Sequence, residues 1–237
     1  AETNDITTEG SLDITGSLVS NNITNSGDMD VSGNVSVNKN ISNSQALDIS
    51  GSLSAVDITN TGTANIGEDL TSTGLLNNTD KLTIDGHADL NDVTNSGTLT
   101  IKQGADARDI TNDGSVYITG TLNARDIVNN DEKVFDVNGD VNAQNVTNHG
   151  DMDINGNLTV ENLLKNTGDL DVIGTATAKE IQNTGNFKVH NNAIVNVSGD
   201  LSASENIITS GLMQVDGSMS GVDITNDGVL TVLKDVT

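Results

Sequence analysis

Asp57-Ile58-Thr59-Asn60-Thr61-Gly62 comes back as Asp109-Ile110-Thr111-Asn112-Asp113-Gly114 and again as Asp223-Ile224-Thr225-Asn226-Asp227-Gly228. Looser copies begin at Asn22, Asn40, Asp92 and Asn145. With the aliphatic residue of the phrase as an anchor, thirteen anchors run along the chain: Ile6, Ile23, Ile41, Ile58, Leu76, Val93, Ile110, Ile127, Val146, Leu164, Ile181, Ile207 and Ile224. Ten of the twelve intervals are 17 or 18 residues; the exceptions are 19 after Ile127 and 26 after Ile181. A short unit repeated at nearly fixed period is the mark of a solenoid, in which no unit can bury a core alone.

Within each repeat the apolar period is two, the period of a strand with alternate side chains facing one side. Asn stands two residues after the anchor in eleven of the thirteen repeats. A Gly column follows (Gly27, Gly62, Gly97), then Leu, Met or Val (Leu12, Met29, Leu99) and Ile or Val (Ile14, Val31, Ile101). A second Gly column (Gly16, Gly33, Gly51) leads to Leu or Val (Leu18, Val35, Leu122). Glycine placed this regularly marks corners, where a positive φ or a tight bend is needed. Three short strands and their corners make one coil, and stacked coils join through parallel ladders. No 3.6-residue period competes with this pattern, and β-branched residues dominate the anchors. The expected fold is all-β: a single parallel β-solenoid over residues 1–237, about 13 coils of 17–18 residues, with no capping elements. Loop insertions are expected near 130–134 and 190–196, and Phe135 and Phe187 of those repeats are expected to fill core. The Asn column, in phase with the inward positions, predicts a ladder of stacked amides.

Composition narrows the function. The 237 residues carry a net charge of −24 and contain no Cys, Pro or Trp. That charge repels nucleic acid and anionic lipid. Lack of Cys removes disulfides, thiolate metal sites and Cys nucleophiles. No apolar run is long enough to cross a membrane as a helix, so no membrane insertion is expected. Three His in different repeats and no recognisable nucleophile with its base give no catalytic constellation, and the chain is not expected to be an enzyme. Arg108 and Arg125 are expected to pair with Asp109 and Asp126.

Three outward or terminal features remain as candidate sites. Asp151, Asp153, Asp169 and Asp171 place two carboxylates on each of two adjacent coils; calcium, which takes six to eight oxygens, is the cofactor such a patch would suit. Pairs flanking the Asn, such as Thr24/Ser26, Ser42/Ser44 and Thr59/Thr61, form a hydroxyl array that would suit an ice surface where it is unbroken. At the ends no helix or polar cap fits the sequence, so the terminal coils would present unpaired backbone and apolar core. The simplest partner is another copy of the chain, added head to tail. Ile6, Leu12 and Ile14 would form one side of that joint, and Leu230, Val232 and Val236 the other, with Val236 in the column of Leu18.

The phrase Val93-Thr-Asn95-Ser-Gly97-Thr-Leu99-Thr-Ile101 resembles the filamentous-haemagglutinin-like repeats of bacterial secreted exoproteins, and the likeness spans nearly the whole chain. The resemblance implies a right-handed, triangular β-helix and an extracellular or cell-surface role. No amino-terminal secretion domain of the two-partner type is visible. Ala1-Glu-Thr-Asn has the form of a mature start after signal-peptide removal. The sequence therefore points to a structural subunit of an extracellular filament that binds itself. The alternatives are a stalk segment of a secreted adhesin, with an unknown surface or matrix partner, and an ice- or calcium-binding solenoid.

Overall fold

The computed structural model describes residues 3–190, 193–221 and 224–237. The chain is an all-β parallel β-solenoid of about 13 turns, and no helix occurs among the described residues. It divides into two compact units, 1–119 and 120–237.

In the first unit each turn has three faces. The first face carries the anchors: Asp5–Thr8, Asn22–Asn25, Asn40–Asn43 and Asp57–Asn60. The second begins with Ser11–Ile14 and Asp28–Val31, and the third with Leu18–Ser20 and Val35–Val37. All pairing is parallel and follows the repeat. Ile6, Ile23, Ile41, Ile58, Leu76, Val93 and Ile110 stack in one row. Leu12, Met29, Leu47, Ala64, Leu82, Leu99 and Val116 stack in another. These rows are buried from the second turn onward, because only a stacked neighbour can cover an inward side chain. From Leu70 on, the third and first faces belong to one bent strand per turn: Leu70–Asn78, Ala88–Asn95 and Ala105–Asn112. A register shift between Ser72 and Leu75 turns that corner without breaking the strand.

The glycine columns serve chiefly close approach rather than unusual dihedrals. Positive φ occurs at Gly16, Gly104 and Gly120 (101–104°). At Gly97 the backbone of the preceding turn leaves no room: a Cβ would lie 2.0 Å from the Asp80 carbonyl oxygen. Corners stacked in register bring backbone against backbone, and only hydrogen fits between.

The second unit repeats the scheme with bent strands Leu122–Asn129, Val141–Asn148, Leu158–Asn166 and Ala176–Asn183. Near 130–134 the extra residues make a tight turn, closed by Lys133 N–H donating to Asn130 O at 3.2 Å, with Glu132 at φ 60°. Phe135 and Phe187 are both buried, Phe135 in register with Met152 and Phe187 between Leu170 and Ile207.

The register expected after Ile181 requires correction. Ile181 pairs with Leu201, Leu201 with Met219, and Met219 bridges to Val236. Ile207 and Ile224 stack on Phe187, in the second-face row rather than the anchor row. Leu230 and Val232 stack under Met213 and Val215, which continue the rows of Ala176 and Ala178. Val236 therefore lies in the anchor row, Leu230 takes the row expected for Val236, and Val232 takes the next inward row of the same face, that of Ala178. The reason is that three similar faces share one period-two pattern. The strand–turn–strand phrase can move to the next face without exchanging inward and outward residues. The excursion expected at 190–196 is correspondingly shorter: Ile194–Val197 is a strand of the sheet, Ala193 N–H donates to His190 O at 3.1 Å, and Asn191 and Asn192 lie outside the described residues.

Candidate functional site

The most regular polar feature is internal. In the first unit Asn25 Nδ2 donates to Asn43 Oδ1, and the chain of donors runs on through Asn60, Asn78 and Asn95 to Asn112 at 2.8–2.9 Å. In the second unit the same ladder joins Asn129, Asn148, Asn166 and Asn183. Each amide also ties down its own corner and the next turn. Asn60 Nδ2, for example, lies 2.7 Å from Gly62 O and 2.9 Å from Lys81 O. Every ladder asparagine is buried. These groups are fully occupied in holding the coil and leave no polar edge for a ligand. After Asn183 the inward row continues as Ala203 and Gly221, and the ladder stops.

At the terminal coils the inward rows come to the surface. Ile6, Leu12 and Ile14 are half-buried, whereas Ile23, Met29 and Val31 directly below them are buried. At the other end Val232 is half-buried, Leu230 is 45% exposed and Val236 64%. No described residue lies over these side chains. Residues Thr3 and Asn4 extend only across the third face, where Thr3 N–H donates to Val19 O at 3.0 Å and Asn4 O accepts from Asn21 N–H at 2.6 Å. Among the described residues, two buried polar atoms of these end coils have no partner: Thr8 Oγ1 and Asn226 Nδ2. Both hold the Asn position of the repeated phrase in sequence, but Asn226 stacks under Thr209 in the row of Val172 and Val189, outside the amide ladder's row.

The four predicted calcium ligands are in register: Asp151 beside Asp169 and Asp153 beside Asp171. The structure adds Asp136, stacked on Asp153, so the column holds a fifth carboxylate that a 17-residue step from Asp153 would have found. Partial burial, then the neighbouring charges of Asp153 and Asp151, push the Asp136 carboxyl above the usual carboxylate range. Burial, then Asp151 and Asp171, raise Asp153 likewise, with His190 opposing the shift. Lys188 and His190 close the column on one side. Lys188 is in register with Asp171, and His190 Nε2 lies 3.2 Å from Asp171 Oδ2. Asp169 Oδ1 accepts from Asn186 Nδ2 at 2.6 Å. Among the described residues no group of three or more His, Asp or Glu is arranged to hold a metal ion.

The hydroxyl array is also in register, with Thr24, Ser42, Thr59 and Thr94 on one outward row of the first unit, interrupted by Asn77. The second row is engaged with backbone: Ser26, Ser44 and Thr61 each donate to a carbonyl of the preceding turn at 2.9–3.2 Å. Arg125 pairs with Asp126 at 3.1 Å. Arg108 reaches Asp92 through Nε at 2.7 Å, with Asp109 at 3.4 Å. Both arginines thus sit in surface ion pairs. No described helix is long and apolar enough to cross a membrane.

Compared with protein families, curated proteins and solved structures, the chain matches none of them, so the likeness to filamentous-haemagglutinin-like repeats rests on the Asn-x-Gly phrase and its period.

Proposed function

We propose that this chain is a non-catalytic structural subunit of an extracellular or cell-surface filament, joined head to tail by strand addition between terminal coils. The reading rests on one observation: apolar rows buried along each unit reach the surface at Ile6, Leu12 and Ile14 and again at Leu230, Val232 and Val236. A parallel ladder with an uncovered edge strand offers backbone hydrogen bonds together with that apolar surface. A second copy supplies a matching edge, and a head-to-tail joint that does not close on itself generates a filament. The outward carboxylates favour growth along the ladder over lateral association, because side-by-side contact would bring like charges together. The same edges would accept further coils of a longer chain, as in an adhesin stalk.

Sedimentation of the 237-residue chain separates the readings. The wild type is expected to form large assemblies whose amount rises with concentration. Val232→Asp, which sets an unpaired charge in the joint, is expected to remain monomeric with an unchanged far-ultraviolet spectrum. A wild-type chain that stays monomeric at high concentration and moderate salt contradicts the filament and favours the stalk.

A further inference from the structure

We infer that the two ends meet in one register, with the first coil of one copy seated on the last coil of its neighbour so that Thr8 lies on Asn226. The inference rests on the filament reading and fixes the geometry of its joint. Ten residues of the first coil, Asp5-Ile-Thr-Thr-Glu-Gly-Ser-Leu-Asp-Ile14, match Asp223-Ile-Thr-Asn-Asp-Gly-Val-Leu-Thr-Val232 position for position. The orphaned buried atoms, Thr8 Oγ1 and Asn226 Nδ2, occupy the same place in that match. Thr8 is 5% exposed, so water does little to satisfy its hydroxyl.

The polarity of the amide ladder says what these atoms lack. Each ladder asparagine donates through Nδ2 to the side-chain oxygen of the next turn. It also donates to a backbone carbonyl three residues beyond that side chain, as Asn43 does to Thr63 O at 3.1 Å. Asn226 keeps the corner geometry of a ladder asparagine: Gly228 N–H donates to its Oδ1 at 3.3 Å, as Gly27 N–H does to Asn25 Oδ1 at 3.3 Å. Its outgoing donor has no acceptor among the described residues. Thr8 supplies a hydroxyl oxygen at the incoming side of a first coil, with Ser11 O in the place of the second acceptor. The same register sets Ile6 on Ile224, Leu12 on Leu230 and Ile14 on Val232, apolar on apolar throughout. The competing joint continues second-face strands onto second-face strands. It sets Leu12 on Ile224 and Ile14 on Asn226, which buries an amide donor against a methyl group and leaves Thr8 unpaired.

The chain has no cysteine, so engineered pairs read the register directly. Adjacent strands place paired Cα atoms about 4.8 Å apart, inside the disulfide range of about 4.4–6.8 Å. Under mild oxidation the Thr8→Cys/Asn226→Cys protein is expected to give a ladder of covalent oligomers on a non-reducing gel, at least about tenfold more than Ile14→Cys/Asn226→Cys. A ladder dominated by the Ile14 pair overturns this register and leaves end-to-end growth standing. Absence of any assembly by the wild type overturns both. Thr8→Val provides a second reading that needs no cross-link. It is expected to raise the critical concentration for assembly at least about fivefold while leaving the monomer's unfolding midpoint in place, since the hydroxyl has no partner among the described residues of one chain. An unchanged critical concentration contradicts the pairing.

Discussion

The turns from Asn25 to Asn112 and those after Asn183 are built from the same phrase, yet they differ in what the phrase does. In the first region Asp57-Ile-Thr-Asn-Thr-Gly62 lies on the first face, and Asn60 joins an amide ladder. In the second, Ile224-Thr-Asn226 lies on the second face, under Ile207 and Thr209, with its amide donor unpaired. The phrase therefore specifies strand, corner and strand, and which side chains point inward. It does not specify the face. The face is set by the number of residues since the previous turn, and the stretch between Asn183 and Ile207 contains one strand more than the phrase spacing suggests.

That contrast predicts unequal sensitivity to the same substitution. Asn95→Ala removes the acceptor for Asn78 Nδ2 and the donor to Gly97 O and Ser115 O. Several buried groups at about 1–3 kcal/mol each give an expected loss of about 4 kcal/mol in urea unfolding. Asn226→Ala in the monomer is expected to cost under about 0.5 kcal/mol, because its donor is already unpaired. Equal losses at the two sites would refute a stabilising ladder.

Glycine columns sharpen the comparison within the regular region. Gly97→Ala drives a Cβ into the Asp80 backbone, whereas at Gly10, in the first turn, nothing lies within 4 Å. The first substitution is expected to destabilise by about 2–3 kcal/mol, as overpacking does. At Gly10 the unfolding midpoint is expected to stay within error in the monomer, while assembly is impaired, because a neighbour would occupy that space.

The smallest expected effect concerns the acidic column. The Asp136 and Asp153 carboxyls are raised in the fold above their ordinary 3.8, so the native state holds more protons than the unfolded chain just above that pH. Stability is then expected to increase as pH falls from 7 into the raised range, and to decrease as pH rises through it. Asp153→Asn is expected to stabilise at pH 7 by about 0.5 kcal/mol, the scale of a like-charge cross-strand contact reduced by solvent screening. The gain should shrink toward pH 4. A variant less stable at pH 7 would show that these carboxylates are held by something favourable, such as a cation.

Much of this was legible in the residues because a solenoid writes its register into the chain: equal spacing means stacking, so Ile23 over Ile41 and Asn25 beside Asn43 follow from counting. Three things were not legible. The face occupied by Ile207 and Ile224 depends on the Ile194–Val197 strand, which carries no Asn-Gly phrase. The role of most corner glycines depends on backbone from another turn, and their own neighbours in sequence do not reveal it. The unsatisfied atoms of Thr8 and Asn226 emerge only when the partners of the ladder asparagines between them are known. The half-burial of Ile6, Leu12 and Ile14 in the first coil follows from counting, whereas Val236 lies in the anchor row rather than that of Leu18, because the slip after Ile181 leaves no mark in the phrase.

The central claim is that terminal coils continue one another's ladders. Electron diffraction from aligned assemblies of the wild-type chain tests it most directly. Continuous stacking predicts unbranched filaments with a meridional spacing of about 4.8 Å along the fibre axis and no added partner. Dispersed single particles at every concentration and salt, or assemblies whose strands run along the axis, would contradict it.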